Sequence, residues 1–241
     1  MRRSLTISLI AVFGALHTVL YFLSFGLWRN WAIYVEAIEG IILGPQAGFL
    51  AALFGSSIAR MIRFDPLWMF GIVAEPVSVL IAGLLSRGKW KPAASAYAVM
   101  LLAYFAHPFG RMLPLWTILD ILFALVIIYP AAKLSKKLFG TDLKPMSLSL
   151  VLISFACTAT DSLVRVFLLI PSGLYAIFSD FSTFQNLQMI FEISALSSYI
   201  EDALVVAVSL VVGVPLMIAL SRLDFFQRMK RKDVPVDVVS S

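Results

Sequence analysis

The chain has 241 residues, of which 61% are hydrophobic and only 14% are charged, and its mean hydropathy is +0.94. Soluble domains carry roughly one-quarter charged residues, so this composition excludes an ordinary soluble domain and predicts a membrane protein. The net charge of +5 does not indicate nucleic-acid binding, because Lys and Arg occur in short clusters between apolar runs and not along a polar face.

Apolar runs separated by short polar breaks predict an all-α bundle of six to eight transmembrane helices in a single domain, residues 1–223. The candidate segments, in chain order, are 5–26, 32–44, 46–63, 67–86, 93–108, 114–134, 147–170 and 196–221. The first is long and lacks a clear cleavage site, so we interpret it as a retained helix. Several others fall short of the ~20 residues that span the bilayer, and we expect those before Gly44-Pro45 and around His107-Pro108 to be tilted or partly inserted.

The distribution of basic residues predicts which loops face the cytoplasm. Four clusters should lie inside: Arg2 and Arg3; Arg87, Lys89 and Lys91; Lys133, Lys136, Lys137 and Lys144; Arg228, Lys230, Arg231 and Lys232. Both termini are then cytoplasmic, and loops 27–31, 63–66, 109–113 and 171–195 lie outside. Residues 224–241 lack a core-forming pattern and predict a frayed cytoplasmic tail.

Ionisable residues within the apolar runs fall on one side of the predicted membrane. The outer parts of the segments contain Glu36, Arg60, Asp120, Arg165, Glu201 and Asp202, and the middle contains Glu39, Glu75 and Asp161. A charge near the bilayer centre costs ~2.5–3.5 kcal/mol on insertion scales, so these groups must be paired or face a polar cavity. Asp161 and Arg165 have the spacing of a structural pair, and Arg60 can meet a carboxylate elsewhere. The acids outnumber the bases, however, which favours a cavity that opens outward.

Aromatic residues gather at the same predicted level. They are Trp28, Trp31, Tyr34, Trp68, Trp116, Tyr175 and Tyr199. Trp and Tyr form interfacial belts in most membrane proteins, which is one interpretation. The alternative is that some of them stack on a planar ligand, and the surplus carboxylates would then suit a cationic or hydroxyl-rich compound.

Small residues recur at four-residue spacing in the predicted cytoplasmic halves. Ala11 and Ala15 form such a pair on the first helix, and Gly48-x-x-x-Ala52 overlaps Ala51-x-x-x-Gly55 on the third. Helices in lipid meet where small side chains let their backbones approach. Packing within the chain is the simplest interpretation, and a docking surface for another membrane subunit is the alternative.

The motifs of ATP hydrolysis and of common hydrolases are absent: there is no G-x-x-x-x-G-K-[ST], H-E-x-x-H or G-x-S-x-G. The single cysteine, Cys157, excludes an internal disulfide or a cysteine metal cluster. We expect His17 and His107 to be packed or capping residues. The sequence therefore predicts neither an enzyme nor a cofactor.

The stretch from Ile38 to Gly55 resembles the junction of the second and third helices in substrate-binding S components of energy-coupling factor transporters. In Ile38-Glu39-Gly40-Ile41-Ile42-Leu43-Gly44-Pro45, Gly-Pro ends one helix and begins the next. Small residues follow in Gln46-Ala47-Gly48-Phe49-Leu50-Ala51-Ala52-Leu53-Phe54-Gly55. Ala11-x-x-x-Ala15 is similar to the first-helix motif with which that family docks on its T component. The family pattern is six helices, whereas hydropathy gives about eight here, which an inserted hairpin at 93–108 and 114–134 would explain.

The resemblance implies a membrane subunit that captures a vitamin or similar micronutrient from outside. It implies a T component and two ATP-binding subunits as partners, and a ligand site capped by the loop from Leu27 to Trp31, which includes Asn30. Together with depth and aromatic character, it gives the candidate ligand site: Trp28, Asn30, Trp31, Tyr34, Glu36, Glu39, Trp68, Glu75, Trp116, Asp120, Arg165, Tyr199, Glu201 and Asp202.

Two other functions fit a polytopic membrane protein. A stand-alone secondary transporter would use Glu39, Glu75 and Asp161 as proton carriers near the midplane. An intramembrane enzyme would use a carboxylate pair. No internal repeat and no recognisable catalytic constellation is present. Surplus carboxylates favour a cationic or neutral heterocycle as ligand, while Arg60, Arg111 and Arg165 would equally hold a carboxylate.

Overall fold

The fold is known from a computed structural model that describes residues 3–23, 30–140, 142–178, 181 and 183–221. Trp28 and the tail from 224 onward therefore lie outside the described residues. The described part of the chain is all-helical. Its helices are α1 (Arg3–Tyr21), α2 (Ile33–Leu43), α3 (Pro45–Ile62), α4 (Trp68–Ser86), α5 (Trp90–Ala106), α6 (Pro108–Met112), α7 (Leu119–Leu134), α8 (Leu143–Leu169), α9 (Phe184–Val208) and α10 (Val214–Ser221).

Each of the eight predicted segments contains a helix, and two features differ from the prediction. The short helix α6 follows His107, and α9 begins at Phe184, inside the stretch predicted to be an outer loop. The first turns of α9 carry Gln, Asn and Glu among the apolar residues, which lowers their hydropathy below that of a membrane segment. The start is nevertheless marked, because the Thr183 hydroxyl accepts a hydrogen bond from the Asn186 amide at 3.3 Å.

Five helical stretches are long and apolar enough to cross a membrane, which is compatible with a membrane protein. They are Ser4–Tyr21, Trp68–Ser86, Leu115–Lys137, Leu143–Leu169 and Phe184–Ser221. By contrast, α2 has 11 residues and a length of about 16 Å, well short of the ~30 Å hydrocarbon layer. Its length agrees with the expectation that the segment before Gly44-Pro45 does not cross by itself.

Close helix contacts hold α2 and α4 at the centre of the bundle. Gly44 has a φ of +78°, which ends α2, and Pro45 then occupies the first position of α3. A Cβ added to Gly40 would lie 2.9 Å from the Ala82 Cβ, so the absence of a side chain lets α2 approach α4. Almost every residue of α2 is buried, including two glutamates. The bundle thus carries acidic groups into its interior.

The small residues of α3 pack within the chain. Gly48, Ala51, Ala52 and Gly55 are all buried. A Cβ on Gly55 would lie 2.7 Å from the carbonyl oxygen of Gly14 on α1. This confirms the simpler interpretation for the α3 pairs.

Candidate functional site

Buried and partly buried polar side chains from five helices and from the residues before α2 meet between α1, α2, α3, α4 and α8. We call this set the Glu75 cluster, and it comprises His17, Asn30, Glu36, Glu39, Arg60, Glu75, Ser78, Asp161 and Arg165. Each helix contributes through its own periodicity: Glu36 and Glu39 lie one turn apart on α2, and Glu75 and Ser78 lie one turn apart on α4. The cluster therefore depends on how the helices pack, since its members come from distant parts of the chain.

Glu75 is the most connected member. Its Oε1 accepts a hydrogen bond from Arg60 Nη2 at 2.5 Å, and its Oε2 accepts one from Arg60 Nη1 at 3.0 Å. Asn30 Nδ2 donates to the same Oε1 at 3.3 Å, and Arg165 Nη2 lies 3.7 Å from it. A bidentate guanidinium pair with further donors is the arrangement in which a buried carboxylate remains charged at acceptable cost. Arg60 thus has the carboxylate partner expected from the sequence.

His17 links two carboxylates and was not predicted as a site residue. Its Nδ1 lies 3.2 Å from Glu39 Oε2 and its Nε2 lies 3.2 Å from Glu75 Oε2. The ring is fully buried, so both contacts are shielded from water. Its sequence neighbourhood gave no signal, because the two glutamates follow 22 and 58 residues later. His107, in contrast, caps α6 by accepting a hydrogen bond from the Phe109 amide, as expected of a capping histidine.

The predicted pair on α8 is also present. Arg165 Nε donates to Asp161 Oδ2 at 2.6 Å and Nη2 donates to Oδ1 at 3.2 Å. The Arg165 side chain is 29% exposed, whereas that of Asp161 is buried. Arg165 therefore lies at the boundary between the buried cluster and a space open to solvent.

That space is a cavity of about 300 Å³ between the start of α4, the turn before α7, the end of α8 and the first half of α9. Its volume is at the lower end of the range for small-molecule sites. Its walls are formed by Asp65, Leu67, Phe70, Thr117, Asp120, Ile121, Ser162, Arg165, Val166, Leu169, Phe181, Ile190, Phe191, Ser194, Ala195, Ser197, Ser198 and Glu201. Apolar walls with a few acidic and hydroxyl groups suit a small polar ligand.

Three of the predicted ligand residues line the cavity: Asp120, Arg165 and Glu201. Asp120 Oδ2 accepts a hydrogen bond from Ser198 at 3.1 Å, and Ser198 in turn lies 3.1 Å from the Ser162 hydroxyl. These bonds join α7, α8 and α9 along one wall. The wall is therefore held by polar contacts and not by apolar packing alone.

The other predicted residues lie elsewhere. Asn30, Glu36, Glu39 and Glu75 belong to the Glu75 cluster. Glu201 and its neighbour Asp202 are both buried on α9, but only Glu201 faces the cavity.

Of the predicted aromatic residues that the structure describes, none lines the cavity. Trp31 packs edge-to-face on Tyr34, with ring centroids 5.4 Å apart. Trp68 and Trp116 are 40% and 39% exposed, and the Tyr199 hydroxyl donates to the carbonyl of Trp116. The rings that do contribute to the cavity are Phe70, Phe181 and Phe191.

Sequence reasoning missed the serines of α9. Ser194, Ser197, Ser198 and Glu201 follow the spacing i, i+3, i+4 and i+7, so they share one face of the helix. This pattern was present in the sequence. The predicted segment begins at residue 196, so it leaves out Ser194 but contains the other three residues.

Acidic groups outnumber basic groups in the described interior. Seven buried carboxyl groups occur among the described residues, together with one buried guanidinium, Arg60, and one buried imidazole, His17. The seven are Glu36, Glu39, Glu75, Asp120, Asp161, Glu201 and Asp202. Even with Arg165 included, pairing with basic side chains cannot neutralise them all.

Comparisons with known proteins add little to this chemistry. The chain is 31% identical over 131 residues to an uncharacterized protein of the archaeon Methanocaldococcus jannaschii. The match covers 54% of this chain and 44% of that relative, so it spans less than half of the relative's length. No protein-family profile and no solved structure matches the chain.

Proposed function

We propose that the chain is the substrate-binding membrane subunit of an energy-coupling factor transporter and captures a vitamin or similar micronutrient for uptake. The observation that carries the proposal is the cavity of about 300 Å³, which has acidic and hydroxyl groups in its walls and buried carboxylates behind it. The resemblance of residues 38–55 to S components supplies the family. A T component and two ATP-binding subunits would be the partners, because the chain has no nucleotide-binding motif.

The predicted orientation of the chain indicates the side of the membrane on which the cavity lies. In the proposed topology the protein is a multi-pass protein of the cell membrane, with both termini in the cytoplasm. The cavity lies beside Asp65 and Leu67, at the loop between α3 and α4 that this topology puts outside. A ligand would then enter from the external medium.

The first helix has a free face that suits a partner. Ala11 and Ala15 are exposed, whereas Gly14 is buried against the backbone of Ala51 on α3. Two small residues, one turn apart on an exposed apolar helix, allow another helix to approach closely in lipid. We therefore assign docking on the T component to this face.

The charges of the cavity favour a cationic or hydroxyl-rich ligand over an anion. Among the described wall residues, Arg165 is the only basic side chain and it pairs with Asp161, while Asp65, Asp120 and Glu201 also face the space. Because the described walls carry three acidic side chains and one basic side chain, a small cation or polyol complements them better than a carboxylate.

The test combines ligand identification with reconstitution. We expect mass spectrometry of the purified chain to identify a small cationic or hydroxyl-rich compound, which binds without ATP. In proteoliposomes the chain alone should not accumulate this compound, and adding the T component and the ATP-binding subunits should start uptake. ATP-driven uptake that does not need the chain would reject the proposal.

A second candidate, a stand-alone proton-coupled transporter, is favoured by one observation. His17 lies between two buried glutamates, which is a hydrogen-bonded chain suited to proton movement. Accumulation of solute by the isolated chain under a proton gradient would support this candidate and reject the first.

A further inference from the structure

Among the residues that the structure describes, the Glu75 cluster contains more acidic than basic side chains. Asp161 and Arg165 neutralise each other, which leaves three buried carboxyl groups, Glu36, Glu39 and Glu75, facing one guanidinium, Arg60. If all three carboxyl groups are ionised and His17 is neutral, two positive charges are missing. A net charge of this size is costly to hold in a buried, water-poor interior. The cluster therefore calls for either two protons or one divalent cation.

The geometry around His17 is compatible with both choices. When Nδ1 donates its hydrogen to Glu39, the lone pair of Nε2 faces Glu75 Oε2 at 3.2 Å. Either a second proton, which makes His17 an imidazolium that donates to both glutamates, or a metal cation can bridge this contact. Ligands held roughly 2.0–2.2 Å from a tetrahedral zinc ion lie about 3.3 Å apart, which is close to the observed separation. A histidine that binds a metal usually donates the N–H of its other ring nitrogen to a carboxylate.

Glu36 supplies a third ligand atom. Its side chain is fully buried, and its Oε1 has no hydrogen-bond partner within the part of the chain that the structure describes. Its Oε2 accepts a hydrogen bond from Ser78 at 2.5 Å, which fixes the carboxylate. One ligand atom each from His17, Glu36 and Glu75 can be chosen so that all lie within 4.8 Å of one another. A buried carboxylate oxygen without a hydrogen-bond partner needs an explanation, and a role as a metal ligand supplies one.

We propose that His17, Glu36 and Glu75 bind one divalent transition-metal ion, with Glu39 orienting the imidazole. One nitrogen and two carboxylate oxygens form a borderline donor set that suits Zn²⁺ or Co²⁺ better than Mg²⁺ or Ca²⁺. Arg60 holds both oxygens of Glu75, Oε1 at 2.5 Å and Oε2 at 3.0 Å, and the remaining lone pair of Oε2 can face the ion. The three carboxylates then balance the ion and Arg60. This site does not depend on the proposed transport function.

The cavity provides access to the site. Arg165 lines the cavity, and its Nη2 lies 3.7 Å from Glu75 Oε1, so movement of this partly exposed side chain opens a route to the cluster. With three protein ligands, a fourth coordination position remains for water or another small ligand.

The experiment uses the full chain in detergent, purified with a tag that lacks histidine and stripped with EDTA. Titration with Co²⁺, followed by visible absorbance, and then competition with Zn²⁺ measure the stoichiometry and affinity. We expect one ion per chain. The affinity for Co²⁺ should fall at least tenfold for Glu36→Gln. It should fall about 10–100-fold for Glu39→Gln, because Glu39 orients the imidazole that binds the ion. The matched control, Glu192→Gln, should bind as the wild type does, because Glu192 pairs only locally with Gln188 on α9.

Elution volume and thermal unfolding show whether each variant is folded. Should Glu36→Gln not fold, X-ray absorption of the Co²⁺-loaded wild type decides the question without any variant. One imidazole with oxygen ligands supports the site. Absence of stoichiometric binding, a coordination shell without imidazole, or equal affinity in folded wild type and Glu36→Gln overturns it and leaves protons as the neutralising charge.

Discussion

Replacing Glu75 by Gln tests whether the cluster that bears its name stabilises the bundle. The substitution keeps the size of the side chain but removes its charge. In the wild type, the two carboxylate oxygens accept hydrogen bonds from Arg60 at 3.0 and 2.5 Å. In the variant, an amide NH₂ group replaces one of these oxygens and cannot accept a hydrogen bond. Asn30 loses the same charged acceptor. Arg60, which is 7% exposed, is then left buried without its counter-charge.

The expected loss follows from that uncompensated charge. Removing one partner of a buried ion pair costs about 3–5 kcal/mol. For a chain of this length, each kcal/mol shifts the unfolding midpoint by roughly 2–4 °C, so we expect Glu75→Gln to lower the midpoint by roughly 6–20 °C. Substituting Arg60 by Met in the same chain removes the stranded charge. The double variant should therefore be more stable than Glu75→Gln alone.

Tryptophan fluorescence during heating of the detergent-solubilised chain measures these midpoints, since the chain has five tryptophans. EDTA in every sample removes any contribution from bound metal. Glu192→Gln is the matched control. Its carboxylate accepts one hydrogen bond from Gln188 at 2.8 Å on the same helix, a contact worth roughly 0.2–0.5 kcal/mol, so the midpoint should fall by about 2 °C or less.

Two results would refute this reasoning. The first is a Glu75→Gln midpoint within about 2 °C of the wild type, because the carboxylate would then contribute no more than a local helix contact. The second is a double variant whose loss equals the sum of the two single losses, because that additivity means that the two side chains are not coupled.

Four further variants have expected outcomes. Ala11→Leu with Ala15→Leu should leave the unfolding midpoint and ligand binding unchanged, because both residues are exposed, and should abolish assembly with the T component; normal assembly in a pull-down removes the docking assignment. Gly55→Ala should destabilise by about 1–3 kcal/mol, because its Cβ would lie 2.7 Å from the α1 backbone; an unchanged midpoint contradicts that packing. Tyr97→Phe should cost about 1 kcal/mol, since its hydroxyl donates to a carbonyl of α8 at 3.1 Å, and a loss above 3 kcal/mol would show another role. Ser194→Phe should fill the cavity and prevent binding of the co-purified compound at an unchanged midpoint, whereas unaltered affinity puts the ligand elsewhere.

Part of the site was predictable because some of its contacts are local. The spacing of Asp161 and Arg165 predicted their ion pair, and the structure contains it. The surplus of acids over bases was also visible in the apolar segments, and seven buried carboxyl groups bear it out in the described part of the chain. Which carboxylate Arg60 meets was not predictable, because Glu75 lies on another helix.

The serines of α9 show a different limit. Ser197 and Ser198 lie in the predicted segment, whereas Ser194 precedes it, because the polar first turns of α9 resemble a loop. Hydropathy detects membrane helices by their apolar content. It therefore underestimates the length of a helix whose end faces a polar cavity.

The sequence by itself determined the all-helical class, the segments that become helices, the break at Gly44-Pro45 and the enrichment of acids within apolar runs. These follow from composition and from contacts within a few residues of each other, which the chain fixes locally. Only the tertiary structure decided that His17 lies between Glu39 and Glu75, and that Asp120, Arg165 and Glu201 share a cavity. Those arrangements depend on which helices are neighbours and how each is rotated. Both are properties of packing between distant segments, and no local pattern contains them.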